Sequence, residues 1–341
     1  MNLEQLHDML HKIKYLSILV VGDFFLDKYL IIDPRLNEES LETGLDAYQV
    51  IDKRLSPGAA GTLTNNLQAL GVGKIHALGF FGDDGEGYEL IKALKSNKVS
   101  IDAMIKTRCR YTPTYTKPMI KEKKTLRELN RLDIKNRAPL PSDIEESIIS
   151  KLEYFSDKVD AIMVLDQVTE TNCGVITEKV REKLAQIGGR SNSPVIYCDS
   201  RANTILFDNI IVKCNQYELL KAFGVDADKN YDDNEIIYYG KKLFEKNKRP
   251  VFITIGKRGQ FVIDETGASH VPEVYAKGPF DICGAGDATS SGIVTALCCG
   301  SNNRDAAFMG NLVASITIQQ LGTTGTATAS QVISRFVETS R

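Results

Sequence analysis

The run "CGAGDATSSG" places Gly284, Ala285 and Gly286 directly before Asp287. Small residues let a backbone come close to a ligand. If a helix begins near Gly284, the amides of Gly284, Ala285 and Gly286 point out of its first turn. Unpaired N–H groups at the positive end of a helix dipole form an anion site. Asp287 would repel that anion unless it acts on a neighbouring group. A carboxylate there can take a proton from an attacking hydroxyl while the amides hold the charge developing on a transferring phosphoryl group. The plainer alternative is a helix start with a favourable acidic residue, and spacing alone leaves both open.

Such a turn needs a rigid frame. Apolar runs "SILVVGD", "KIHALGFF", "AIMVLD", "PVIYCD", "NIIVKCN" and "PVFITIG" read as buried strands. Between most of them lie helical patterns such as "AAGTLTNNLQALG", "SDIEESIISKLEYFS", "ITEKVREKLAQIG" and "EIIYYGKKLFEKN". This alternation predicts an α/β fold, a mostly parallel central sheet flanked by helices. "GQFVIDETGASHVPEV" predicts antiparallel strands around Glu265-Thr266-Gly267, followed by helices over about 284–299 and 303–320. Two alternating segments, "DKYLIIDPRL" with "DAYQVIDKRL", and "YTPTYTKPMIKEKKTLRELNRLDI" with a turn over Lys121 to Lys124, lie outside this rhythm. They predict a small β lid from about 28–55 and 110–134. Ligands in open parallel sheets sit beyond the C-terminal strand ends, where Asp23, Asp166, Asp199, Asn215 and Gly256 fall. Each of these also reads as a helix cap or turn residue.

With 341 residues and 43% hydrophobic content, the chain reads as a single domain over 1–341. A net charge of -2 gives no basic footprint for nucleic acid. No apolar run reaches the roughly 18 residues of a membrane helix. The N-terminus is amphipathic and lacks a secretory pattern, so a cytoplasmic location is expected. The seven cysteines have no metal-ligand spacing and read as free thiols in a reducing compartment.

"DICGAGDATSSG" resembles the DTxGAGD signature of the ribokinase-like (PfkB) carbohydrate kinases, and further matches follow in order along the chain. "VVGDFFLD" resembles the family's first strand, which implies that Asp23 and Asp27 hold sugar hydroxyls. "SPGAAGTLTNNLQALG" resembles the Gly-Gly helix start at the sugar site, here Gly58 and Ala59. "GFFGDDGEG" matches a further element through Gly82, Asp83, Asp84 and Gly87. "NQYE" resembles the NxxE motif, which implies that Asn215 and Glu218 organise Mg²⁺ and phosphate, Glu218 through water. "TIGKRG" resembles the nucleotide loop at Thr254, Gly256 and Gly259, and "GNLVASITIQQLGTTG" the helix beside adenine, with Asn311 as its polar residue. The implied fold is ribokinase-like and the implied activity is ATP-dependent phosphorylation of a sugar or sugar phosphate.

Within the family, "TPTYTKPMI", "LNRLDI" and "CDSRAN…KCNQYE" resemble the branch that phosphorylates heptose 7-phosphate. That places Lys117, Arg131 and Asp133 on the lid facing the substrate, where a cation meets a phosphate already on the sugar. Ile282 replaces the signature threonine, leaving a backbone carbonyl and Asp281 for a monovalent cation such as K⁺. Ala59 replaces the second glycine, and Thr62 stands where the branch has a sugar-binding asparagine. These departures leave open a nucleoside or simple hexose or pentose as acceptor, or a non-catalytic sugar-binding regulator. An oxidoreductase is disfavoured because no GxGxxG follows "SILVVGD". With the sequence ending at Arg341, the nucleotidyltransferase domain often fused in that branch is not expected here. Open lid edges predict a homodimer through the lid.

Overall fold

Residues within a buried strand alternate between two faces. In Ser17–Gly22, Ile18 and Val20 pack into one apolar cluster, Leu19 and Val21 into another. Ala161, Met163 and Leu165 join the first, Ile162 and Val164 the second. Both faces are covered, which is why these strands read as unbroken apolar runs. The computed structural model describes residues 1–122, 125–226, 229 and 231–339.

The large sheet has eight strands in the order 267–271, 260–264, 251–254, 211–215, 195–200, 161–166, 17–22 and 74–78. It is parallel from Lys74–Leu78 to Val251–Thr254, and Gln260–Asp264 and Gly267–Val271 add antiparallel. Helices Leu3–Ile13, Ala60–Leu70, Ala285–Cys298 and Asn303–Thr317 cover one face. Ser142–Ser156, Glu178–Gly188 and Asp233–Asn247 cover the other. None of the described helices is long and apolar enough to cross a membrane. This is an α/β fold with a mostly parallel sheet between two layers of helices.

A five-stranded second sheet stands beside it. Its strands are Phe24–Ile32, Val50–Ala59, Thr114–Glu122, Thr125–Glu128 and Leu132–Ile134. Phe24–Ile32 pairs antiparallel with Val50–Ala59 and parallel with Thr114–Glu122. The two sequence segments that break the main rhythm are therefore hydrogen-bonded partners. The sheet begins at Phe24 and ends its second strand at Ala59, beyond the expected limits at both ends. Lys121 belongs to a strand rather than a turn, and Lys123 and Lys124 lie outside the described residues. "KIHALGFF" splits at Gly79: Phe80–Gly82 pairs with Ile105–Thr107 instead of extending the main sheet.

Ala59 turns the chain from strand into helix Ala60–Leu70 at φ 51, ψ -118, a region natural to glycine. Strain of this kind costs about 1–3 kcal/mol. Alanine's smaller unfolded-state entropy returns only about 0.4–1 kcal/mol. Ala59→Gly is therefore expected to stabilise the fold by about 1 kcal/mol, read as a higher urea midpoint at unchanged m-value. A lower midpoint would show that the turn is unstrained.

Candidate active site

The cradle is built at the start of helix Ala285–Cys298. Gly284 is its N-cap in the left-handed region, φ 79, with no side-chain cap. A residue with a Cβ would be strained there and would crowd Thr324. The Ala285 N–H donates to the Ile282 carbonyl at 3.1 Å, so Ala285 does not serve as an anion donor as the sequence predicts. Among the described residues no acceptor is recorded for the Gly284, Gly286 and Asp287 amides. The free donors thus shift one residue along, onto Gly286 and Asp287, with Gly284 beside them. A Cβ on Gly286 would stand 2.9 Å from Lys213 Nζ, so only glycine leaves this approach open.

Asp287 has a pKa raised to about 7. Burial is the main cause and the Asp199 carboxylate adds to it; Lys213 and Arg201 pull the other way, and Asp27 raises it further. Lys213 lies in the sheet beneath this turn. The parallel register pairs Asp199 with Lys213, and Lys213 Nζ donates to Asp199 Oδ2 at 2.7 Å. Ser290 Oγ donates to the same oxygen at 3.2 Å, and Tyr197 donates to Ser290 at 3.3 Å. Burial works against the Lys213 charge, but Asp199, Glu218 and Asp287 outweigh it and raise the lysine above its ordinary pKa.

The NxxE residues form a capping box. Asn215 Oδ1 accepts from the Tyr217 and Glu218 amides, and Glu218 Oε2 accepts from the Asn215 amide. No protein donor is recorded for Glu218 Oε1 among the described residues. Burial and Asp199 raise the Glu218 pKa, while Lys213 lowers it. Thr254 is the register partner of Asn215. The chain then turns through Gly256, φ 63, and Gly259, φ 89, closed by Ile255 N–H to the Gly259 carbonyl at 2.9 Å.

On the second sheet, Asp27 Oδ1 lies 3.2 Å from Lys117 Nζ, both side chains 15% exposed. A Cβ on Gly58 would collide with the Asp27 carboxylate, so this glycine makes room for the acid. Lys117 also donates to Tyr29 Oη at 3.1 Å. Arg131 pairs with Asp133 through two hydrogen bonds of 2.6 and 2.8 Å over the Tyr115 ring.

Several expected ligands have other partners. Asp23 is buried and accepts the amides of Gln167, Val168 and Val175. It pins the 167–175 loop instead of offering both oxygens to a sugar. Burial raises its pKa against those three bonds. Asn311 donates to the Val271 and Pro272 carbonyls and accepts from Gln260. It ties a helix to two strands, with both amide N–H groups already donated. Thr62 is 3% exposed inside helix Ala60–Leu70. Asp281 accepts the Cys283 amide at 3.0 Å and the Gly322 amide at 2.9 Å. It clamps two loops. Among the described residues no cluster of three metal-ligating side chains occurs.

A cavity of about 130 Å³ opens between the second sheet and the 167–175 loop, lined by Asp23, Phe25, Tyr115, Lys135, Gln167 and Arg201. Among the described residues neither Lys135 nor Arg201 has a carboxylate within 4.0 Å. Sequence reasoning missed these two and Lys213. The signal for Lys213 was present: a lone cation inside the apolar run "NIIVKCN" needs a buried partner.

The model of the pfkB family carbohydrate kinases matches residues 25–329. Relatives named Bifunctional protein HldE include one from Citrifermentans bemidjiense, 29% identical over 91% of this chain and 61% of its own length. Another, from Trichlorobacter lovleyi, is 27% identical over 98% of this chain and 65% of its own. The chain thus spans less than two thirds of these relatives. Among solved structures, phosphofructokinase-2 from Escherichia coli in complex with potassium superposes with TM-score 0.75 at 15% identity, covering 96% of this chain and 100% of that one. Arabidopsis thaliana ribokinase complexed with ribose and ATP gives 0.68 at 15% identity, covering 94% and 98%. The family match spans most of the sequence and the fold agrees with it: the chain belongs to the pfkB family of carbohydrate kinases.

Proposed function

We propose that the chain transfers the γ-phosphoryl group of ATP to a hydroxyl of a sugar phosphate, with Asp287 as general base. The observation that carries this reading is the first turn of helix Ala285–Cys298, where a carboxylate near neutrality adjoins unpaired amides. Asp287 takes the hydroxyl proton, and the amides of Gly286 and Asp287 hold charge on the transferring group. The turn Ile255–Gly259 and the neighbouring Thr254 flank the nucleotide path. Glu218 has a carboxylate oxygen to spare, which fits a water-coordinated Mg²⁺. That ion, when bound, spreads the charge of the phosphates. Asp27 and Gly58 flank the acceptor, and the second sheet acts as a lid that excludes water.

The acceptor's own phosphate meets Arg201 and Lys135. These cations line the cavity without carboxylate partners, whereas Lys117 and Arg131 are already paired. The resemblance to the heptose 7-phosphate branch and the HldE relatives support the same acceptor class.

Asp287→Asn is expected to lower kcat by about 10²–10⁴-fold while ATP affinity by calorimetry stays near wild type. An unchanged rate of ADP release would remove Asp287 from the mechanism. Because Asp287 titrates at about 7 and acts as its ionised form, kcat/KM should fall about tenfold per pH unit below that value and level off above it. A flat profile between pH 5 and 7 would contradict a base of raised pKa. In an ADP-release panel of free and phosphorylated heptoses and hexoses, Arg201→Ala should raise KM for phosphorylated acceptors by about tenfold or more, and spare free sugars. Equal effects on both classes would place the phosphate elsewhere.

A further inference from the structure

Asp166 ends a central strand and takes no part in the phosphoryl transfer described above. It is 3% exposed. Its carboxylate accepts from two neutral side chains, Ser200 and Asn203. Burial and the Asp23 carboxylate raise its pKa to about 6 against those bonds. A buried acid held this way costs the fold more than a neutral residue would, so stability gives weak reason for it.

Its contacts give a stronger reason. Parallel register sets Asp166 opposite Ser200. Ser200 Oγ donates to Asp166 Oδ2 at 2.7 Å, and Asn203 Nδ2 donates to the same oxygen at 2.9 Å. The Asn203 amide donates back to Ser200 Oγ at 2.9 Å. Between these two residues the Arg201 amide donates to the Asp166 carbonyl at 3.0 Å. Arg201 is therefore an exposed side chain on a turn tied at both shoulders to one buried oxygen. Its guanidinium lines the cavity, and its charge lowers the proton affinities of Asp287 and Glu218. The facing wall is held by the neighbouring acid, Asp23, through the amides of Gln167, Val168 and Val175.

We propose that Asp166 is a positioning residue for acceptor specificity: by fixing the 200–203 turn it aims the Arg201 guanidinium at the phosphate carried by the acceptor, and so favours phosphorylated over free sugars. This rests on the kinase reading above and on the role it gives Arg201. Asp166 itself touches neither sugar nor nucleotide. A guanidinium grips phosphate best through two parallel N–H bonds, and that requires a fixed approach. A turn released from Asp166 keeps the charge and loses the aim. The phosphate gripped is not the one that reacts, so the loss falls on KM rather than kcat.

Asp166→Ala leaves two donors without their acceptor and costs stability. Asn203→Ala removes one tie and keeps the Ser200 bond, so its melting temperature should stay near wild type. Both are assayed by ADP release with heptose 7-phosphate, fructose 6-phosphate and the corresponding free sugars. For the phosphorylated acceptors, Asn203→Ala should raise KM about three- to tenfold at unchanged kcat. KM for ATP and for free sugars should hold. Asp166→Ala should show the same pattern with a larger rise. In an Arg201→Ala background neither change should add to the loss, since all three act through one guanidinium. Equal effects on free and phosphorylated sugars, or losses that add to that of Arg201→Ala, would overturn the proposal. So would an Arg201-dependent KM that Asn203→Ala and Asp166→Ala leave unchanged, which would spare the role of Arg201 itself. Wild-type protein that releases no ADP with any sugar, yet binds heptose 7-phosphate in calorimetry with this Arg201 and Asn203 dependence, would sink the kinase reading and sustain this one. Absence of both ADP release and that binding would overturn the two together.

Discussion

Helix N-terminal amides without acceptors must find an anion or water, and the architecture is organised around such amides at Gly286 and Asp287. The surroundings are charged in both senses. Asp287, Asp199, Glu218 and Asp27 crowd together, and Lys213, Arg201 and Lys117 oppose them. Burial and the Asp199 carboxylate raise the proton affinities of Asp287 and Glu218. The same crowding that holds Asp287 near neutrality equips it to accept a proton at physiological pH.

Placement follows from hydrogen-bond register. Asp199 lies opposite Lys213 and Asn215 opposite Thr254 because parallel strands pair them. Gly22 ends a central strand and Phe24 begins a lid strand, so a single residue, Asp23, joins the sheets. Its carboxylate holds the loop that walls the cavity. On the far side, Arg54 of the second sheet donates to the Gly322 carbonyl at 2.9 Å, and the Gly322 amide is held by Asp281. Asp281 in turn holds Cys283, just before the cradle. The second sheet and the cradle are thus joined by a chain of short side-chain-to-backbone hydrogen bonds.

Much of this was legible in the sequence. Apolar runs alternating with amphipathic helices marked the parallel sheet, and the two alternating segments marked the second one. Asp287 and its glycines announced themselves by type and spacing. What the sequence left open has one cause: the type of a polar residue does not tell which of its atoms are already occupied. Asn311, Asp23 and Asp281 match motif positions and Thr62 stands where the motif has asparagine, yet the structure gives the first three internal partners and buries the last. Lys117 and Arg131 looked like free cations and are paired, whereas the cations without carboxylate partners, Arg201 and Lys135, lie on loops whose positions only the tertiary fold sets.

The departures from the family signature can be weighed in the same terms. Ile282 removes a hydroxyl, but its side chain is 79% exposed and its carbonyl accepts the Ala285 amide. The isoleucine therefore leaves the cradle empty and still shapes the turn through its backbone. Ala59 adds a methyl where the chain bends at positive φ. Its consequence is local strain, and the Ala60 amide still bonds the Asp23 carbonyl at 3.0 Å. Both substitutions fall where main-chain atoms carry the geometry, so they perturb side-chain detail without dismantling the site. Asp287 and Lys213, by contrast, contribute through their charged side chains. Each is held where a change of length or charge would be felt by the other, through the shared neighbours Asp199 and Gly286.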